Sequence, residues 1–87
     1  MANEGMVQAA KDVKGAANLA RLLDVYPSAI SQMLRGDMDV PPKRAVQIEQ
    51  IPEVTIDRTH LRPHDWWLIW PELAEKYPER LPTENAA

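Results

Sequence analysis

Apolar positions in the first half of the chain recur every three or four residues, and glycines and prolines cut this pattern into segments of about ten residues, the length of short helices in a bundle. Met6, Ala9, Ala10 and Val13 share one face of a first helix running from about Asn3 to Val13, and Gly15 ends the link that follows. Leu19, Ala20 and Leu23 share a face of a second helix, Ala17 to Leu23. Asp24 and Val25 make a turn, and Pro27 opens a third helix, since a proline in the first turn forfeits no hydrogen bond and brings a helical φ. Ala29, Ile30, Met33 and Leu34 form the buried stripe of this helix, and Gly36 closes it in the left-handed conformation. After a loop, a fourth helix begins at Pro42, with Ala45, Ile48 and Val46 turned inward and Pro52 just past its end.

Beyond Pro52 the period changes. Val54, Ile56 and Arg58 alternate with Thr55 and Asp57, which predicts a short extended segment or edge strand within residues 53–60. Pro63 then starts a helix with Asp65 in its first turn, where negative charge meets the helix dipole favourably. Trp66, Ile69, Trp70 and Leu73 return to helical spacing, and Pro71 kinks the helix or starts a new one. Residues 81–87 read as a flexible tail. The expected fold is mainly α, a bundle of four to five short helices. Residues 1–52 form its core domain, and 53–80 form an extension whose Trp66, Trp67, Ile69, Trp70 and Leu73 pack on that domain or at a dimer interface.

The second and third segments have what a helix-turn-helix needs: a small residue where two helices cross steeply, a tight turn, and apolar residues that lock the angle. Ala20 is the small contact, and Leu19, Leu23, Val25, Ile30 and Met33 are the lock. In order, Ala20-Arg21, Asp24-Val25, Pro27-Ser28 and Ser31-Gln32 resemble the helix-turn-helix of Cro- and cI-type phage repressors. Over a longer span, through "VPPKRAVQIEQ" into "HLRPHDWWLIWPEL" and so over roughly residues 14–74, the chain is similar to small Cro-like and YdaS-like prophage regulators. It departs from their pattern at Asp24, where the turn often has Gly, at Tyr26, where a Ser often caps the helix, and at Ala17, where a Ser or Thr cap is expected.

The resemblance implies a lambda-repressor-like fold and a regulator that binds double-stranded DNA as a homodimer on a palindromic operator, with recognition helices about 34–36 Å apart. Two assignments follow from it, a Cro-like repressor and a YdaS-like regulator of antitoxin type. The residues supply their own rationale for DNA. Tyr26, Pro27, Ser28, Ser31, Gln32 and Arg35 form the edge of the third helix opposite its buried stripe. Gln32 is suited to adenine, Arg35 to guanine or a phosphate, the two serines to base edges or phosphates, and Tyr26 to a thymine methyl or a phosphate. Lys14, Lys43 and Arg44 are the expected phosphate anchors. A different class of reading makes the Trp-rich face a protein-docking surface and the helix-turn-helix its scaffold.

Composition narrows the alternatives. Eighty-seven residues make one small domain, and the absence of cysteine excludes disulfides, thiol catalysis and cysteine-ligated zinc. The net charge of −3 is unusual for a DNA binder, but it is unevenly placed: residues 1–52 hold six Lys/Arg and six acids, and residues 53–87 four against seven. The acidity around Asp65, Glu72 and Glu75 argues against the three tryptophans as a single-strand stacking platform. His60 and His64 have the spacing of two helical metal ligands, but Arg62-Pro63 between them breaks the helix, so no metal is expected. Asp37 and Asp39 read as turn residues, and no nucleophile or base is placed near them for catalysis. No cofactor, small-molecule substrate, signal peptide or membrane span is expected, so the cytoplasm is the expected compartment, and the resemblance to prophage regulators implies a bacterial host cell.

Overall fold

The computed structural model describes residues 2–81. Helix α1 (Glu4–Asp12) starts where Asn3, in extended conformation, turns its side-chain oxygen onto the Met6 N–H at 3.0 Å. The same asparagine fastens the chain end to two distant elements: its N–H donates to the Leu34 carbonyl at 3.0 Å and its Nδ2 to the Leu61 carbonyl at 3.1 Å. Lys14 (φ 68°) and Gly15 (φ 134°) then reverse the chain into α2 (Ala16–Leu23). Asp24, at φ 57° and ψ 48°, holds the left-handed turn, and Tyr26 in extended conformation leads into α3 (Pro27–Arg35). Helix α4 (Pro42–Glu49) follows.

The extension is built from pieces too short to show a helical period: α5 (Arg58–Leu61), α6 (Trp66–Ile69), α7 (Pro71–Lys76) and a 3₁₀ turn at Pro78–Arg80. One core serves both halves. Met6, Ala9, Leu19, Ile30, Met33, Val40, Ala45 and Ile48 from the first half meet Leu61, Trp66, Trp70 and Leu73 from the second, all buried. Each large side chain so placed contributes about 1.5–3 kcal/mol of hydrophobic stabilisation.

Three expectations need correction. The alternating stretch at 53–60 is not a strand, and no strand occurs among the described residues. Its polar groups are satisfied by helix chemistry instead. The Thr55 N–H and hydroxyl both donate to the Asp12 carboxylate at 2.8 Å, and Asp57 caps α5 in a reciprocal box with His60. Among the described residues seven short α-helices stand where four to five were expected, because the extension breaks into three. Pro63 does not start a helix. Residues 63–65 form a turn, and α6 starts at Trp66 with Asp65 drawn off toward Arg62. In the first half the boundaries agree within a residue, although Gly15, not Ala17, takes the cap position of α2. Of the expected tail, residues 82–87 lie outside the described residues.

Two glycines carry backbone demands. Gly36 closes α3 at φ 81°, and its neighbour Asp37 donates its N–H back to the Gln32 carbonyl at 2.9 Å. Gly5 sits inside α1 because α5 lies directly against it: a Cβ there would fall 2.5 Å from the His60 carbonyl oxygen.

The cap of α5 makes stability pH-dependent. Partial burial pushes the Asp57 carboxyl up, but hydrogen bonds from the Thr59 hydroxyl, the Arg80 guanidinium and the Thr59 N–H, with the charge of His60, outweigh it and hold the group at about 2. A pKa lowered in the folded state adds stability at pH above the ordinary value of 3.8, and that contribution is lost as pH falls toward 2. Thermal melting followed from pH 6 downward is therefore expected to show a steep loss below about pH 4, and Asp57→Asn is expected to lower the pH 6 melting temperature and flatten the acid slope.

Candidate nucleic-acid interface

Helix α3 is buried along Ile30 and Met33 and half-buried at Ala29 and Leu34, which turns its opposite edge outward. Tyr26 is 82% exposed, Pro27, Ser28, Gln32 and Arg35 are exposed, and Ser31 is half-buried. The packing that produces this rim is local. The left-handed Asp24 sets α3 across α2, and the Val25 N–H, donated to the Ala20 carbonyl at 3.0 Å, fixes the turn at the small contact residue. The six rim residues therefore share one outward edge of a helix whose other face is anchored in the core.

The basic residues divide into free and engaged. Lys14, in the link before α2, and Lys43, in the first turn of α4, are exposed. Arg44 is half-buried, and its guanidinium donates to the Leu23 carbonyl at 3.3 Å and to Gln47 Oε1 at 2.7 Å, so it caps the end of α2. Arg35 is exposed but paired: its Nε donates to Asp37 Oδ2 at 2.9 Å.

Two positioning groups were not evident from the sequence. Asn18 donates to the Val13 and Lys14 carbonyls at 3.0 and 3.3 Å and accepts from Arg21 at 2.8 Å, so it ties the strained link to α2 and draws exposed Arg21 alongside. Arg62 grips Asp65 through two parallel bonds, Nε to Oδ1 at 3.0 Å and Nη2 to Oδ2 at 2.7 Å, and gives its remaining Nη1 to the Val40 carbonyl. With only 14% of its side chain exposed, Arg62 braces the loop between α3 and α4, and the hydrogen bonds it donates to the Asp65 carboxylate raise its pKa further. The Arg-x-x-Asp spacing signals the ion pair, but nothing in the sequence signals Val40.

The aromatic segment divides too. Trp66 and Trp70 are 2% and 9% exposed and Leu73 is buried, so these three belong to the core. Trp67 and Ile69 are half-buried, with Trp67 meeting Trp66 edge-on at 5.8 Å, while neighbouring Leu68, which was not singled out from the sequence, is 72% exposed. Trp70 also carries the Arg58 guanidinium 5.2 Å from its ring, where Glu49 holds it. His60 serves the cap of α5, accepting the Asp57 N–H at Nδ1, and no group of three or more potential metal ligands occurs among the described residues. No helix among the described residues is long and apolar enough to cross a membrane.

A family model described as "Bacterial toxin YdaS" matches residues 6–69, a span that takes in the helix-turn-helix, the Arg62 brace and α6. No curated protein matches the chain.

Proposed function

The chain belongs to the YdaS family, and from that premise we propose that it is a sequence-specific double-stranded DNA-binding transcriptional regulator of prophage type, acting as a homodimer on a palindromic operator. The observation that carries this reading is the outward rim of α3, where Ser28, Gln32 and Arg35 stand exposed on a helix whose opposite face is locked in the core. A rigid helix with hydrogen-bonding side chains on one edge fits the major groove, which presents a distinct donor and acceptor pattern for every base pair. Gln32 suits adenine, Arg35 suits guanine, and Tyr26 and the serines supply flanking contacts. The exposed Lys14 and Lys43 are the phosphate anchors of this reading, and the core-bound Trp66 and Trp70 support the domain. No part of this reading requires a cofactor, a small-molecule substrate or catalysis.

Selection of bound sequences from a random duplex pool tests the proposal. A palindromic consensus with half-sites about one helical turn apart is expected, together with a modest salt slope corresponding to about three to five phosphates per subunit. A pool that returns no consensus contradicts sequence-specific binding.

The description of the family as a toxin favours a second reading, in which the chain restrains the growth of a bacterial host. The two readings meet in one measurement. If expression slows growth and the Gln32→Ala/Arg35→Ala variant, equally abundant, does not, the toxicity works through DNA. If the variant is as toxic as the parent, the effect has another route, for which the exposed Leu68 and half-buried Trp67 are the candidate surface.

A further inference from the structure

Arg35 and Asp37 flank the glycine that closes α3. Gly36, at φ 81°, turns the chain back on itself, and the Asp37 and Met38 N–H groups both donate to the Gln32 carbonyl, at 2.9 and 3.2 Å. The backbone of Asp37 is thus pinned to the same turn of helix that presents Gln32. From this position its carboxylate accepts the Nε–H of Arg35 at 2.9 Å, on a surface where both side chains are more than half exposed. An exposed ion pair contributes little to stability, so its consequence lies in what it does to the arginine.

Resting on the DNA-binding reading above, we propose that Asp37 is a specificity-determining residue of the interface, which orients Arg35 for guanine and discourages its use as a general phosphate contact. The guanidinium has two edges with paired donors. With Nε–H taken by Asp37, the edge left complete is the Nη1/Nη2 fork, which matches the O6 and N7 acceptors of guanine. A free arginine at the rim of a helix would pair with any nearby phosphate, a contact that carries no sequence information. The fixed negative charge beside Arg35 also repels the backbone of every duplex, and only at a site where guanine engages the fork is that cost offset by a base contact.

The test is a double-mutant cycle. Affinities of the parent chain, Asp37→Ala, Arg35→Ala and the double variant are measured at one salt concentration for the consensus duplex from the random pool and for a scrambled duplex. Asp37→Ala is expected to bind the scrambled duplex more tightly and to reduce the consensus-to-scrambled ratio about tenfold, the lower part of the range for one bidentate base contact. In the Arg35→Ala background the same substitution is expected to leave the ratio unchanged. Asp37→Asn, whose amide oxygen still accepts from Nε, separates orientation from charge: it is expected to tighten binding to the scrambled duplex while keeping most of the preference for guanine. Circular dichroism melts serve to compare the variants as folded proteins. The proposal is overturned if Asp37→Ala leaves the ratio intact, or lowers it equally with and without Arg35. A parent chain that discriminates no duplex overturns the DNA-binding reading itself, and this proposal with it.

Discussion

Gly5→Ala is expected to destabilise the fold by about 2–3 kcal/mol, a fall in melting temperature of about 10 °C or more for a domain of this size. In an ordinary helix the same change raises stability by about 0.5–1 kcal/mol, because alanine is the better helix former. Here the sign reverses. The new methyl would stand 2.5 Å from the His60 carbonyl oxygen and 2.8 Å from its carbon, and both are backbone atoms of α5, which cannot swing aside as a side chain would. Relief requires α5 to draw back from α1, which strains the bond from Asn3 to the Leu61 carbonyl and the packing of Leu61 in the core. Circular dichroism melts of the parent and variant check this, and a variant as stable as the parent would show that α1 and α5 do not make this contact.

The second large effect is functional. Gln32→Ala combined with Arg35→Ala is expected to weaken binding to the consensus duplex by about 2–6 kcal/mol, from about 30-fold to above 10⁴-fold, since each bidentate base contact supplies about 1–3 kcal/mol of discrimination. Both side chains are exposed, so the melting temperature is expected to stay close to that of the parent. Lys43→Ala supplies the contrast, because a phosphate contact weakens all duplexes alike and its loss lowers the salt slope by about one. Titrations by fluorescence anisotropy at several salt concentrations separate the two patterns. Equal weakening on consensus and scrambled duplexes by the Gln32/Arg35 pair would remove base readout from these residues.

The first half of the fold was legible because each helix there carries several signals at once: apolar residues at helical spacing, a proline or glycine at the end, and a stripe wide enough to read. Those signals also exposed the rim of α3, since the residues left over once Ile30 and Met33 are turned inward must face out. The extension hid its structure because its helices α5 and α6 are only four residues long, less than a full period and a half. Over so few residues the alternation of Val54, Ile56 and Arg58 resembled a strand, whereas the deciding interactions were the Asp57 cap and its partners Thr59, His60 and Arg80.

Contacts between distant segments were illegible for a different reason. Arg44 reaching back to Leu23, Arg62 to Val40 and the backbone approach of His60 to Gly5 each depend on the assembled bundle. So does the division of the tryptophans. Identical spacing placed Trp66 and Trp70 with Ile69 on one expected face, but the break between α6 and α7 leaves Ile69 half-buried and Leu68 exposed. Asp37, read from the sequence as a turn residue, does occupy a turn, and the turn delivers its carboxylate to Arg35.

The claim on which the function depends is that a duplex docks on the outer edge of α3. Amide chemical shifts of the isotopically labelled protein, followed as a consensus duplex is added, locate that contact directly. The largest changes are expected from Tyr26 to Asp37 and around Lys14 and Lys43, with Trp67 and Leu68 little affected except through a dimer contact that an equal protein concentration without DNA would reveal. Changes centred on Trp67, Leu68 and α7, with residues 26–37 undisturbed, would contradict the account.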